Sequence, residues 1–339
     1  MTTFRPRALQ ASLTLVLAFT AAASQAAEVN VFSARHYDTD LALYETFTEQ
    51  TGIEVNLIEG GSDALMERIQ SQGELSPADL LITVDAGRLW RAAEAGIFQP
   101  VESEVLEARV PAHLRDPENL WFGLSKRARV IVLNRAEGLP VPSRYEDLAG
   151  EAYQGRVCMR SSSNIYNLSL GASMIESVGP EATEAWARGL VANFAREPQG
   201  NDTAQLRAVA SGECGVSIAN TYYLGRLMGS DDPADRAVVD ALTVVFPNQD
   251  DRGTHVNISG AGLVRHAPNR EAAVQFLEYL TSDYAQRLFA EGNNEYPVVG
   301  ETPGPIAALE EYREETINAS IYGSNQAEAV RLYDRAGWR

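Results

Sequence analysis

The chain has 339 residues, with 46 acidic against 28 basic side chains and a net charge of −18. That balance argues against nucleic acid as a partner and against adhesion to anionic membrane, since both call for basic patches. The basic residues are nearly all arginine, with Lys126 the only lysine, and the histidines and cysteines show no zinc-site spacing.

Residues 1–26 read as a secretory signal peptide. Arg5 and Arg7 precede the apolar stretch from Leu9 to Ala23, and Ser24-Gln25-Ala26 forms a small-x-small cleavage site. The apolar run is short for a membrane span and no second long one follows, so stable membrane insertion is not expected. The expected product is a soluble protein starting near Ala27 in a bacterial periplasm. Losing two arginines and no acid takes its charge from −18 to about −20. The remaining roughly 310 residues suit two domains of ordinary size.

Strand-like and helix-like segments then alternate. EVNVFSA, IEVNLIEG and ADLLITVD read as strands, with DLALYETFTEQ, SDALMERIQSQ and AGRLWRAAEA as the helices among them. ARVIVLN and GRVCMRS continue as strands, followed by helices at SLGASMIES, EATEAWARGLVANF and TAQLRAVASG. ECGVSIAN, LTVVFP and THVNISGAGLV read as later strands. REAAVQFLEYLTS, DYAQRLFAEG and QAEAVRLYDRA read as amphipathic helices. This alternation predicts an α/β fold with mostly parallel sheets covered by helices on both faces.

In such sheets ligands sit beyond the carboxyl ends of the strands. Three strand ends lead into SARHYDTD, RSSSNIYN and ANTYYLGR, and each delivers tyrosine. Tyr37, Tyr166, Tyr222 and Tyr223 therefore share one topological position, and His36 joins them. Neighbouring residues diverge on a strand and on a helix, so Tyr222 and Tyr223 meet on one object only where the backbone turns, as at a strand end entering a helix. A free phenol, with a pKa near ~10, is a poor ligand for most divalent ions. A hard trivalent cation such as Fe3+ prefers oxygen donors and can displace the phenolic proton. Tyrosines that stack on sugars or amines are the blander alternative. Cys158 and Cys214 each lie eight residues ahead of one of these tyrosines, and an even count in an exported chain favours a disulfide between them. There is no GxSxG elbow, phosphate loop or dinucleotide fingerprint, so no enzymatic activity is expected.

SARHYDTD, PADLLITVDAGRLWRA, RSSSNIYN and NTYYLGRL resemble the ferric-ion-binding periplasmic proteins of bacterial iron ABC transporters, most nearly the tyrosine-rich subgroup. The resemblance implies a type II periplasmic-binding-protein fold: two α/β lobes closing on a cleft, the first from 27–127 and 246–289, the second from 128–245 and 290–339. It implies Tyr37 from the first lobe and Tyr166, Tyr222 and Tyr223 from the second as ligands to transported Fe3+, with His36 a less certain one. Many relatives place a glutamate where this chain has Val84, which leaves the adjacent Asp85 in doubt. Arg127 resembles an arginine that balances charge beside the metal. Ser162 and Asn220 offer donors for a synergistic anion such as carbonate, although Tyr166 competes for that space. The implied partner is an inner-membrane ABC permease, served by a monomer. A receptor for a small anion or polyamine on the same fold, and an exported hydrolase, stand as alternatives.

Overall fold

The computed structural model describes residues 27–309 and 311–339; the expected signal peptide lies outside the described residues. Nine strands are present among them. These are β1 Glu28–Ser33, β2 Glu54–Glu59, β3 Leu80–Val84, β4 Phe122–Asn134, β5 Val157–Cys158, β6 Val216–Asn220, β7 Leu242–Val245, β8 Val256–Leu263 and β9 Tyr296–Pro297. The continuous order is β2-β1-β3-β8-β4-β6-β5, with β7 and β9 also pairing with β4.

β4 organises the molecule. Its thirteen residues are buried apart from the half-buried Lys126. Phe122–Ala128 pair with β8, and from Arg129 onward the strand pairs with β6. β4 therefore leaves one half-sheet (β2, β1, β3, β8, β9) and enters another (β6, β5, β7). The close β4–β8 approach requires glycine at 260, where a Cβ would lie 2.6 Å from the Phe122 carbonyl oxygen.

Three ladders are parallel and five antiparallel, so the sheets are mixed and not mostly parallel as the alternation predicts. The physical reason is β4 and β8. They do not arrive through a strand–helix–strand crossover but run back against β3 and β6, which closes antiparallel ladders on both sides.

The helices cover both half-sheets. Asp40–Thr51 buries Leu43, Tyr44 and Phe47 and ends at Gly52 in the left-handed conformation, the usual helix stop. Ile165–Val178 sends Leu168, Leu170 and Met174 into a core with Ile131, Val216 and Ile218 of the second half-sheet. Cys158 and Cys214 are joined by a disulfide, Cα to Cα 5.8 Å, where β5 meets the entry to β6. No helix among the described residues is long and apolar enough to cross a membrane.

Candidate metal centre

β6 is buried throughout and stops at Asn220, whose backbone is extended (φ −80°, ψ 142°); the helix Thr221–Met228 begins at the next residue. The break therefore falls before Thr221, and both Tyr222 and Tyr223 sit in the first helical turn. Their rings nevertheless lie against each other, tilted, with centroids 4.1 Å apart and planes at 32°. Sequence reasoning from adjacent residues on a helix predicts divergence. It fails here because helical side chains lean toward the N-terminus, and in the first turn no preceding turn separates them.

Tyr166 occupies the matching place on Ile165–Val178, where the Asn164 side chain caps the helix by accepting from the Tyr166 N–H at 3.1 Å. The Tyr166 and Tyr222 hydroxyls lie 3.1 Å apart and hydrogen-bond. Tyr37 comes from the opposite half-sheet, in the loop after β1. Its ring centroid is 5.5 Å from the Arg226 guanidinium carbon, which also lies 5.1 Å from the Tyr222 centroid and 5.7 Å from that of Tyr223. The four tyrosines named from sequence thus gather across the junction of the half-sheets.

The surroundings are cationic and buried. Arg35 lies 4.7 Å from the Tyr37 ring and is held by Asp40 (2.9 Å) and Glu295 (2.8 Å). Arg127 lies 5.4 Å from the Tyr166 ring and donates to Ser259 at 3.1 Å. Several donors there lack an acceptor: Nε and Nη2 of Arg127, Nε of Arg129 and Arg160, and Nδ2 of Asn220. Buried unpaired donors are costly, and their concentration beside phenols suits a state in which the oxygens carry negative charge.

Burial is the largest influence on the phenols themselves. It pushes Tyr37 up to about 12, helped by Glu295 and opposed by Arg35, Arg127 and Arg226. It raises Tyr222 well above the ordinary phenol range, with Tyr166 the next cause, and it raises Tyr223. Without a metal these hydroxyls are protonated at neutral pH. Only a strongly polarising ligand would displace the protons.

The remaining candidates divide. Asn220 belongs to the cluster, accepting from Arg129 at 3.0 Å and donating its backbone N–H to Asp202 at 2.8 Å. Ser162 gives its backbone N–H to the backbone oxygen of Arg339 at 3.3 Å. The His36 side chain is 56% exposed and pairs with Glu59 at 3.1 Å. Asp85 is fully buried and spends its carboxylate on Gly87, Ser169 and Asn257. Among the described residues no group of three or more His, Cys, Asp or Glu side chains is placed to hold a metal ion. Sequence reasoning missed Arg35, Glu295, Asp202 and Arg160. Only RSSSN, where Arg160 follows a strand, carried a usable signal.

Two half-sheets sharing a crossing strand, with polar side chains from both meeting at the junction, define a bacterial solute-binding protein. The chain belongs to the bacterial extracellular solute-binding protein family, whose sequence pattern matches residues 76–327. It is 54% identical over 315 residues to Iron uptake protein A1 of Synechocystis sp., covering 92% of this chain and 88% of that protein. It is 28% identical over 341 residues to the Fe(3+)-binding periplasmic protein of Serratia marcescens, covering 98% and 97%. A solved structure of Trichodesmium FutA (IdiA) in complex with iron and citrate ligands matches with a TM-score of 0.89 at 55% identity, over 92% of this chain and 100% of that one. The fold is the mixed α/β periplasmic-binding-protein fold.

Proposed function

We propose that this protein captures Fe3+ in the periplasm through Tyr37, Tyr166, Tyr222 and Tyr223 and hands it to an ATP-driven inner-membrane permease. The observation that carries the reading is the meeting of Tyr37 with the Tyr222–Tyr223 pair around Arg226, beside the 3.1 Å contact between Tyr166 and Tyr222. Four phenolates on Fe3+ leave one net negative charge, which Arg127 and Arg226 are placed to balance. The relatives named for iron uptake and Fe(3+) binding support the choice of cargo. The Ser161 and Ser163 hydroxyls hydrogen-bond to each other at 2.9 Å.

Two lobes would close on the ion, separated near residues 127 and 128, where β4 changes partners. The return to the second lobe belongs later than residue 290. Asn293 and Glu295 hydrogen-bond to Asp40 and Arg35, and Tyr296 pairs with Lys126, all on the first half-sheet. The ion bridging Tyr37 to the other tyrosines stabilises the closed state, because only that state assembles the ligand set.

The test is optical. Purified protein mixed with ferric salt develops a visible phenolate-to-iron charge-transfer band that disappears on reduction. A colourless mixture would favour the anion or polyamine receptor, and turnover of ester or amide substrates the hydrolase.

A further inference from the structure

Asp202 opens the helix Asp202–Ala210, far in sequence from every tyrosine of the cluster, and is fully buried. Its Oδ1 meets Nη1 of Arg160 at 2.8 Å, and its Oδ2 meets Nη1 of Arg129 at 3.3 Å. Oδ2 also accepts the backbone N–H of Asn220 at 2.8 Å, two residues before Tyr222. Arg129 in turn donates to Asn220 Oδ1 at 3.0 Å and to Asn167 Oδ1 at 2.6 Å, the residue after Tyr166. One carboxylate therefore ties together both segments from which Tyr166, Tyr222 and Tyr223 project.

The same carboxylate sets the charge around Tyr166. Guanidinium carbons of Arg127, Arg160 and Arg129 lie 5.4, 5.5 and 6.0 Å from its ring centroid, and Asp202 holds two of the three. Arg160 is partly exposed, with 15% of its side chain accessible; among the described residues Asp202 is its one ion-pair partner, with the Tyr223 hydroxyl as a further contact, so loss of that carboxylate loosens its hold beside Tyr166. We propose that Asp202 is a positioning residue of the metal centre: it fixes Arg129 and Arg160 against Tyr166 and fixes the strand end that presents Tyr222 and Tyr223. The proposal rests on the ferric-ion reading above.

The test compares Asp202→Asn, Asp202→Ala and Arg160→Met with the wild type, each loaded with ferric citrate and challenged with a competing chelator. Asp202→Asn weakens iron retention about tenfold or more, the range seen when a metal ligand's supporting partner is lost. It also moves the charge-transfer maximum to longer wavelength, as Arg160→Met does. A phenolate that loses a neighbouring cation gives up its electron more readily, and both variants take Arg160 away from Tyr166. Removing a negative charge while the arginines stay in place would shift the band to shorter wavelength. In Asp202→Ala, formate restores affinity by filling the space between Arg129, Arg160 and the Asn220 N–H, whereas formamide does not. Unchanged affinity in Asp202→Asn, a shift to shorter wavelength, or formate without effect overturns the proposal. If Asp202→Ala is not recovered folded, the shared direction of shift in Asp202→Asn and Arg160→Met decides the matter. Absence of any band in the wild type sinks the ferric reading itself, which keeps the two failures apart.

Discussion

The Ser169 hydroxyl lies 3.0 and 2.9 Å from the two carboxylate oxygens of Asp85 and donates to them, joining the end of β3 to the helix that carries Tyr166. Asp85 adopts φ 82° and ψ 124°, a region that non-glycine residues avoid. Its side chain accepts the Gly87 N–H at 2.8 Å and the Asn257 amide at 2.8 Å, so the strain is held by contacts from three segments. The Ser169 bond crosses from one half-sheet to the other and favours their approach. Ser169→Ala should release iron roughly tenfold faster in a chelator chase, matching the ~1–2 kcal/mol of a hydrogen bond to a charged group. Its fold should stay intact, because Asp85 keeps two other partners. An unchanged release rate would show that the bond does not contribute to closure.

The adjacent tyrosine pair makes a second prediction. Tyr222→Phe and Tyr223→Phe each remove one phenol oxygen and keep the ring, so the 4.1 Å ring contact survives. Iron affinity should fall by at least about 100-fold in each, more than loss of a supporting partner costs. The charge-transfer band should weaken while the thermal midpoint of the metal-free protein stays within a few degrees. Wild-type affinity in both variants would remove these residues from the metal centre.

What the sequence made legible was local. Tyr37, Tyr166, Tyr222 and Tyr223 follow strand ends that alternating hydrophobic runs mark well. The first half of β4 was not legible, because Gly123, Ser125 and Lys126 interrupt the apolar pattern of FGLSK. Its burial comes from β8 and β9 on either side. Nor does any pattern announce that Arg35 and Glu295, or Arg129 and Asp202, are buried together. A buried charge is identified by its partner, and these partners lie 73 residues apart in one case and 260 in the other. The reversed direction of β4 and β8 is likewise invisible to a reading that sees only which residues are apolar.

The disulfide offers a stability test separate from the metal. Cys158 and Cys214 are 56 residues apart, and cross-linking a loop of that length restricts the unfolded chain by an amount worth about 4 kcal/mol in the entropy model. The double variant Cys158→Ser/Cys214→Ser should therefore unfold at clearly lower denaturant, with a loss of up to about that size. β5 contributes a two-residue ladder to β6, and the disulfide adds a covalent tie to that attachment. An unchanged midpoint in urea would show that packing alone holds β5 in place.

The response to pH separates the metal-free and loaded proteins. In the metal-free protein burial pushes Tyr37 up to about 12, and Tyr222 and Tyr223 rise as well. Unfolded, these phenols ionise near ~10, so above that pH the unfolded chain binds fewer protons than the native one. The contribution of Tyr37 to stability is complete below about 10 and is lost as pH rises toward about 12, and those of Tyr222 and Tyr223 change in the same direction. Metal-free protein should accordingly unfold more readily with alkali across that window, and Tyr37→Phe should blunt the loss. Loading with Fe3+ reverses the linkage. Bound phenols are deprotonated, so acid competes with the metal and each phenol proton released costs about a decade of affinity per pH unit lost. Chelator competition between neutral and mildly acidic pH, corrected for the chelator's own protonation, should give a slope steeper than one decade per unit. Affinity that holds level across that range would show that phenolates do not bind the ion.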